Sequence, residues 1–237
     1  MTTKVLIISG GMDSYTLLHH TYDDRMPSDE FYALSFDYGQ RHKRELVCAA
    51  RACGLLGIPH NVVDLSGLTP LISSSALTGD IEVPEGHYAD ESMKLTVVPN
   101  RNMIMLSIAI GVAVSESAPD ASHAEVYFGA HAGDHDIYPD CREEFTAAMR
   151  YVAELANYVP VEVIAPFQLL SKGEIAVIGR DLGLDYGETW TCYKGGKQAC
   201  GKCGACVERQ EAMMYAGIRD PLPYDSHSPE YMEWLAK

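Results

Sequence analysis

The sequence predicts an α/β fold with a doubly wound, mostly parallel sheet. Short apolar runs rich in β-branched residues alternate with segments of helical periodicity along most of the chain. Because most of these runs lead through a loop into a helix, neighbouring strands should be parallel and joined by right-handed crossovers. The predicted strands are Val5–Ile8, Phe31–Phe36, Asn61–Leu65, Ala124–Gly129 and Val161–Pro166.

Helices are predicted between and after these strands. The one at Met103–Glu116 is apolar nearly all round and should be buried. Residues 66–94 are polar and contain proline and glycine, so we expect a long irregular connection and a candidate flap over the site. Residues 1–186 form the predicted main domain. Residues 187–237 form an appended segment that ends, after a helix to about Ala216, as coil.

Composition limits the function. Apolar residues make up 47% and charged residues 22% of the 237 residues, as in globular proteins. The formal net charge of −15 argues against a broad nucleic-acid surface, which needs clustered cations, and favours a small-molecule substrate. Neither a signal peptide nor a membrane span is visible, since the longest apolar run, Met103–Val114, is too short to cross a bilayer. We expect a cytoplasmic protein.

The first strand leads into a turn of small residues that opens a helix, Ser9-Gly10-Gly11-Met12-Asp13-Ser14. Glycines permit a tight turn and close approach of a ligand, and free N–H groups at a helix N-terminus favour an anion such as phosphate. The pattern is neither a Walker A loop nor a dinucleotide fingerprint. The alternative is an ordinary turn in which Asp13 and Ser14 cap the helix.

Other polar groups follow strands that should end at the same edge of the sheet, where such folds bind ligands. The Asp37–His42 loop is expected to share a pocket with the first loop. Arg101, before the apolar helix, either directs a cation at a ligand or forms a surface ion pair. The Ala130–Asp140 loop holds two histidines and three aspartates, and loop histidines are more often solvated than metal-bound.

Four of the seven cysteines, Cys192, Cys200, Cys203 and Cys206, lie within fifteen residues. Two residues separate each neighbouring pair of the last three, so their thiolates can converge on one ion. The odd total and this crowding indicate a cytosolic metal site rather than disulfides. Four thiolates favour a structural Zn²⁺ that leaves no position for water; the alternatives are an iron–sulfur cluster or free thiols.

Five motifs in order resemble the 7-cyano-7-deazaguanine synthases, which form preQ0 in queuosine biosynthesis. They are Ser9–Ser14, Asp37–His42, Val98–Asn102, Tyr138–Arg142 and the cysteine site at Thr191–Cys206. The first is similar to the SGGxDS loop of the ATP pyrophosphatases, the PP-loop superfamily. The resemblance implies an adenine nucleotide alpha hydrolase-like fold and an ATP-dependent C–N ligase. Such an enzyme converts 7-carboxy-7-deazaguanine and ammonia to the nitrile by adenylation, amide formation and a second adenylation.

The resemblance also implies the cofactors and the site residues. ATP, Mg²⁺ and Zn²⁺ are expected, with no direct nucleic-acid or membrane partner. The candidate catalytic residues are Arg101 and Lys172, chosen by position and charge alone, and Asp13 of the first loop, although Lys172 also fits a surface lysine at a helix start. The expected nucleotide-binding residues are Ile8, Ser9, Gly10, Gly11, Met12, Asp13, Ser14, Tyr15, Thr16, Leu17 and Leu18, and the expected substrate-binding residues are Asp134, Tyr138, Asp140 and Arg142.

Three alternatives stay open at this point. A relative that stops at 7-amido-7-deazaguanine would serve DNA modification. A tRNA-thiolating or amidating ATP pyrophosphatase is disfavoured by the net charge of −15. A non-catalytic zinc-binding adaptor is disfavoured by the intact first loop. The residues do not reveal the oligomeric state, for which we expect a homodimer.

Overall fold

The computed structural model describes residues 2–41, 43–118 and 123–237 and is built on five strands in one sheet, in the order β3-β2-β1-β4-β5. All neighbouring strands are parallel. The doubly wound α/β class predicted from the sequence is therefore confirmed. The strands are β1 (Thr3–Ile7), β2 (Glu30–Asp37), β3 (His60–Asp64), β4 (Ala124–Tyr127) and β5 (Val161–Ile164).

Side chains alternate along a strand, so the central strand faces two helical layers. Val5 packs in a cluster with residues of α3 (Arg101–Glu116) and α4 (Glu143–Ala156). Leu6 packs on the other face against α1 (Met12–Asp23) and α2 (Arg44–Leu56). Both side chains are fully buried, which explains the unbroken apolar run of β1.

The last three helices complete the second layer. They are α5 (Lys172–Asp181), α6 (Gly204–Ala216) and α7 (Pro229–Leu235). A capping box starts α5: the Ser171 hydroxyl accepts the N–H of Glu174, whose carboxylate accepts the N–H of Ser171. Helix α6 begins directly after Cys203, contains Cys206 and packs against α5. The cysteine segment is thereby joined to the sheet domain.

The coil predicted after Ala216 is wrong for its last part. Helix α7 begins after Ser228, whose hydroxyl accepts the N–H of Tyr231, and Pro229 occupies its first position. Tyr231 is buried, and its ring stacks on that of Trp234, which holds the helix against the protein. A short helix forms here because the start signals coincide with an apolar contact.

The predicted bounds of three other elements also need correction. Helix α3 begins at Arg101, and its Met103 is 44% exposed, so the helix is buried on one side rather than all round. Strands β4 and β5 end at Tyr127 and Ile164, two residues before the predicted ends. The residues that follow these strands are therefore loop residues, and some of them line the site.

The connection after β3 packs on the cysteine segment. It contains two short 3₁₀ helices, Ser66–Leu71 and Glu91–Thr96. Glu85 forms an isolated antiparallel bridge with Cys203 and an ion pair with Lys194. The connection and the cysteine segment thus lie together along one side of the site.

A buried ion pair fixes the chain after α6. The guanidinium of Arg209 donates to both carboxylate oxygens of Asp220 at 2.8 and 2.9 Å, and both side chains are fully buried. Arg209 also donates to the Tyr186 carbonyl and the Thr189 hydroxyl. One side chain therefore connects α6, the turn before the cysteines and the tail.

We predict that Arg209→Met lowers the free energy of unfolding by about 3–5 kcal/mol, because Asp220 would keep a buried charge without its partner. Urea denaturation measures the change. Lys94→Met is the control, since Lys94 pairs with Glu91 at the surface and its loss should cost less than about 1 kcal/mol. Equal losses for the two variants would contradict the prediction.

Candidate functional site

A cavity of about 230 Å³ opens at the carboxyl edge of the sheet, beside β1 and β4. The strand order reverses between these two strands, and open α/β sheets bind ligands at such a switch point. The cavity is lined by residues that follow β1, β2 and β4 and by the start of α3, α5 and α6. The start of α2, the connection after β3 and the segment at residues 190–193 also contribute, so many parts of the chain meet at one place.

The turn after β1 forms one wall, and its shape depends on Gly10. Gly10 has φ +88°, and a Cβ built there would lie 1.9 Å from the Glu45 carbonyl oxygen. Its own carbonyl accepts the N–H of Trp190 at 3.0 Å. The Ser14 hydroxyl accepts the N–H groups of Ser9 and Gly10, each at 3.2 Å. Polar groups of the turn therefore converge, as in an anion site.

The structure divides the predicted nucleotide-binding residues into two groups. Ile8, Ser9, Gly11, Asp13 and Ser14 line the cavity. The remaining six, which do not line it, are Gly10, Met12, Tyr15, Thr16, Leu17 and Leu18. All of these except Gly10 lie on α1 and are buried in the protein core. The helix directs this face of its surface away from the cavity.

Lys172 lies on the floor of the cavity between two carboxylates. Its ammonium is 3.3 Å from Asp13 and donates a short hydrogen bond to Glu208 of α6. Burial alone would lower the pKa of Lys172, but the charges of Asp13 and Glu208 outweigh it and raise this pKa well above its ordinary value. Lys172 is 8% exposed, which excludes the alternative of a surface lysine.

His131 is buried beside the same carboxylates rather than solvated, contrary to the sequence-based expectation. Its Nδ1 accepts the N–H of Gly133 at 3.1 Å, so Nε2 carries the proton of the neutral ring. Nε2 lies 3.4 Å from Asp134 and 3.8 Å from Asp13. His131 and Glu208 are the members of this cluster that the sequence analysis did not assign; the crowding of acidic and histidine residues in the Ala130–Asp140 loop was the available signal.

A second group of polar side chains lies near the start of α2 and α3. Arg101 lines the cavity 6.0 Å from the centre of the Tyr38 ring, and no carboxylate of the described residues is within ion-pair distance. Glu45 lines the same side. Burial raises the pKa of Glu45 to about 7, although its hydrogen bond with Gln40 and the charge of Arg101 act in the opposite direction.

The predicted substrate-binding residues are also divided. Asp134 and Tyr138 line the cavity, and Tyr138 shares a hydrogen bond with Thr96 at 2.6 Å. Asp140 and Arg142 do not line it. Asp140 accepts the backbone N–H of Asn102 at 3.1 Å, and the exposed Arg142 donates to the His135 carbonyl. The 3₁₀ turn at Pro139–Cys141 directs Arg142 away from the cavity.

Of the Asp37–His42 motif, Tyr38 lines the cavity. Asp37 instead forms an ion pair with Lys43, and Arg41 donates to the Gly79 and Ile81 carbonyls of the connection. His42 lies outside the described residues.

The four predicted cysteine ligands form one cluster. The sulfur atoms of Cys192, Cys200, Cys203 and Cys206 all lie within 4.8 Å of one another, and three of these residues are buried. Backbone N–H groups of Cys200 and Cys203 point at sulfur atoms, at 3.3 Å each, which stabilises thiolates. The arrangement could hold a metal ion.

The described part of the chain contains no helix long and apolar enough to cross a membrane. It is an α/β protein with a polar cavity at the switch point of its sheet and a four-cysteine cluster beside it.

Comparison with known proteins identifies the family. A family model described as "Queuosine biosynthesis protein QueC" matches residues 3–217, and the chain belongs to this family. It is 57% identical to a 7-cyano-7-deazaguanine synthase of Alteromonas mediterranea, over 93% of this chain and 98% of that protein. It is 54% identical to one of Pseudoalteromonas atlantica, over 95% of this chain and all of that protein. The family predicted from the five motifs is confirmed.

Among solved structures, the chain is similar to the U34-tRNA thiolase NcsA from Methanococcus maripaludis with its [4Fe-4S] cluster. The identity is 18% and the TM-score 0.46, over 89% of this chain and 64% of that one. At this distance the similarity carries no argument about the site.

We predict that Gly10→Ala destabilises the protein and distorts the turn, because the new Cβ would overlap the Glu45 carbonyl and φ +88° is strained for alanine. The expected loss is about 1–3 kcal/mol in the free energy of unfolding, measured by urea denaturation. Gly111→Ala in α3 is the control, since a Cβ there meets nothing within 4 Å and should be neutral or stabilising. If the Gly10→Ala protein were as stable as the wild type, the close contact between Gly10 and the Glu45 carbonyl would be refuted.

Proposed function

We propose that this protein is an ATP-dependent ligase that converts 7-carboxy-7-deazaguanine and ammonia to 7-cyano-7-deazaguanine. The membership in the QueC family and the names of the relatives support this reaction. The observation on which the proposal rests is that the Ser9–Ser14 turn forms a wall of the same cavity as Lys172, Arg101 and Asp134. The turn proposed to bind phosphate therefore lies close to the side chains proposed to bind the carboxylated deazaguanine.

The chemistry explains why a nucleotide is needed. A carboxylate resists attack by ammonia because its leaving group would be oxide. Transfer of AMP to that oxygen makes it a good leaving group, and ammonia then gives the amide. A second transfer, to the amide oxygen, allows loss of AMP and formation of the nitrile. Each transfer releases pyrophosphate, so cations must balance its charge.

In this proposal the turn from Ser9 to Ser14 holds the phosphates with its N–H groups. Lys172 and Arg101 both line the cavity, and each supplies a fixed positive charge for the phosphates. Arg101 is the better placed of the two for a ligand, because Lys172 is already paired with Asp13 and Glu208. Electrostatic groups fixed before the reaction cost no reorganisation during it.

The residues present fit a bound Mg²⁺. Asp13 Oδ1 is buried and has no hydrogen-bond partner among the described residues, and a carboxylate oxygen is the ligand that Mg²⁺ prefers. Asp13 would hold the ion next to the phosphate turn. When bound, Mg²⁺ neutralises charge on the departing pyrophosphate.

Asp134 and Tyr138 are the proposed contacts for the deazaguanine. A carboxylate accepts the N–H groups of a guanine-type edge, and Asp134 is held for this by His131. Asp140 acts indirectly, since it holds the backbone of Asn102, which lines the cavity. Arg142 donates to the His135 carbonyl, so we do not assign it to the substrate carboxylate.

Zn²⁺ is the proposed occupant of the cysteine cluster. A tetrahedral zinc with Zn–S bonds of about 2.3 Å separates its sulfur ligands by about 3.8 Å. Cys200 and Cys206 sulfur atoms lie 3.9 Å apart, and no pair in the cluster exceeds 4.8 Å. A four-iron cubane would hold its ligands farther apart, because metal and sulfide atoms lie between them. The spacing therefore favours one ion with a structural role.

The remaining parts of the proposal concern location and assembly. All seven cysteines are free, as in a reducing compartment, which supports a cytoplasmic protein. The homodimer and the boundary at residue 186 stay predictions.

The reaction is tested by mass spectrometry of the product formed from 7-carboxy-7-deazaguanine, ATP, Mg²⁺ and ammonium. We expect the nitrile, with AMP and pyrophosphate released in a 2:1 ratio to the product, as two adenylations require. Amide as the final product would identify a relative that stops one step earlier. No nucleotide consumption with the acid would refute the proposed function.

The metal is tested separately. We expect one zinc per chain by elemental analysis, and removal of zinc by a chelator should lower Tm, because the cluster would lose its central ion. Cys192→Ser should show the same loss of zinc. Cys53→Ser is the control, since Cys53 is buried in the core away from the cluster. Iron and acid-labile sulfide in place of zinc would contradict the assignment.

A further inference from the structure

Glu45 belongs to neither the phosphate turn nor the buried cluster around Lys172, yet it is one of the residues that line the cavity. We propose that Glu45 is the proton acceptor of the last step, in which the adenylated amide becomes the nitrile. This inference rests on the proposed function and assigns to it a catalytic residue.

The position of Glu45 relative to the phosphate turn is fixed by the backbone. Its carbonyl oxygen would be 1.9 Å from a Cβ at Gly10, so the first turn of α2 touches the turn that is proposed to hold the phosphates. A substrate oxygen attached to the α-phosphate would therefore lie near this part of α2. The amide nitrogen is two bonds from that oxygen and shares its surroundings.

Hydrogen bonds hold the carboxyl group in place and leave one of its oxygens available. Oε1 accepts from the side-chain amide of Gln40 at 3.1 Å. Gln40 is 6% exposed and is held in turn by the Phe36 carbonyl and the Tyr38 N–H. Within the described residues, Oε2 receives no hydrogen bond. A base requires such a free lone pair in the cavity.

Each other carboxylate that lines the cavity lies within ion-pair distance of Lys172 or His131, and the free oxygen of Asp13 is the one assigned above to Mg²⁺. Asp13 and Glu208 pair with Lys172, and Asp134 lies 3.4 Å from His131. Glu45 has no cation within ion-pair distance among the described residues. It is therefore the cavity carboxylate best placed to take up a proton.

The charged neighbours of Glu45 come from several elements. Arg101 of α3 favours the ionised carboxylate, while Tyr38 after β2 and Cys48 of α2 are neutral near pH 7 because burial raises the pKa of each. In the turn Tyr186–Glu188, Glu188 is bound to Arg51. With burial as the largest influence, the pKa of Glu45 near 7 suits a group that accepts and releases a proton at neutral pH.

The step balances in atoms and electrons. Once AMP is attached to the amide oxygen and one N–H proton has left for water, the nitrogen carries one hydrogen and a C=N bond. Glu45 Oε2 takes this last proton, the N–H electron pair becomes the third C–N bond, and the C–O bond breaks with its electrons on AMP. Glu45 then releases the proton to solvent.

The test starts from 7-amido-7-deazaguanine and ATP, so ammonia and its own protonation are absent. With the wild type, the rate of nitrile formation should rise with pH through about 7, because the ionised carboxylate is the active form. Glu45→Gln should slow nitrile formation by about 100-fold or more and remove this rise. Exchange of labelled pyrophosphate into ATP with the acid substrate should stay near the wild-type rate, since adenylation of a carboxylate needs no base.

The control is Glu154→Gln, which removes an exposed carboxylate from α4 and should change neither rate. A Glu45→Gln protein that forms nitrile at the wild-type rate would overturn the proposal. An equal loss of pyrophosphate exchange and nitrile formation would also overturn it, because Glu45 would then serve binding or folding. Failure of the wild type itself to consume ATP would instead refute the proposed function.

Discussion

The site depends on the close approach of backbone to Gly10. Because this residue has no side chain, the Glu45 carbonyl of α2 fits against it, and the Trp190 N–H reaches its carbonyl. One turn is thus fixed from two directions, by a helix of the sheet domain and by the segment that leads to the cysteines. A side chain at this position would separate all three parts. The shape of the turn after β1 is therefore a property of the whole fold rather than of a local motif.

The charges around the cavity are arranged in two unequal groups. On one side, Asp13 and Glu208 pair with the ammonium of Lys172, and Asp134 lies 3.4 Å from His131 Nε2. Several carboxylates close to one ammonium favour the binding of a further cation, which agrees with the unpaired oxygen of Asp13. On the other side, Arg101 has no carboxylate within ion-pair distance among the described residues. A ligand that carries both anionic groups and its own metal ion would complement both sides.

The sequence was sufficient for what depends on local pattern. The strand–turn–helix alternation predicted the parallel sheet, and the cysteine spacing predicted a cluster that the structure brings together. The sequence did not predict which residues of α1 face the cavity. Leu17 and Leu18 follow the turn in sequence but are buried in the core, since a helix presents only one side to the cavity. The same holds for Arg142, which a short 3₁₀ turn directs to solvent. Glu208 was missed because its partner, Lys172, is 36 residues away in the chain.

The cysteine cluster contributes to the cavity although it is not part of its lining. Trp190, whose backbone N–H binds the Gly10 carbonyl, donates through its indole N–H to the Cys192 carbonyl. Two residues after Cys206, Glu208 pairs with Lys172 at the floor of the cavity. An ion bound by Cys192 and Cys206 would therefore help to fix the separation of Trp190 and Glu208. The positions of Gly10 and Lys172 both depend on contacts with the segment that such an ion would organise.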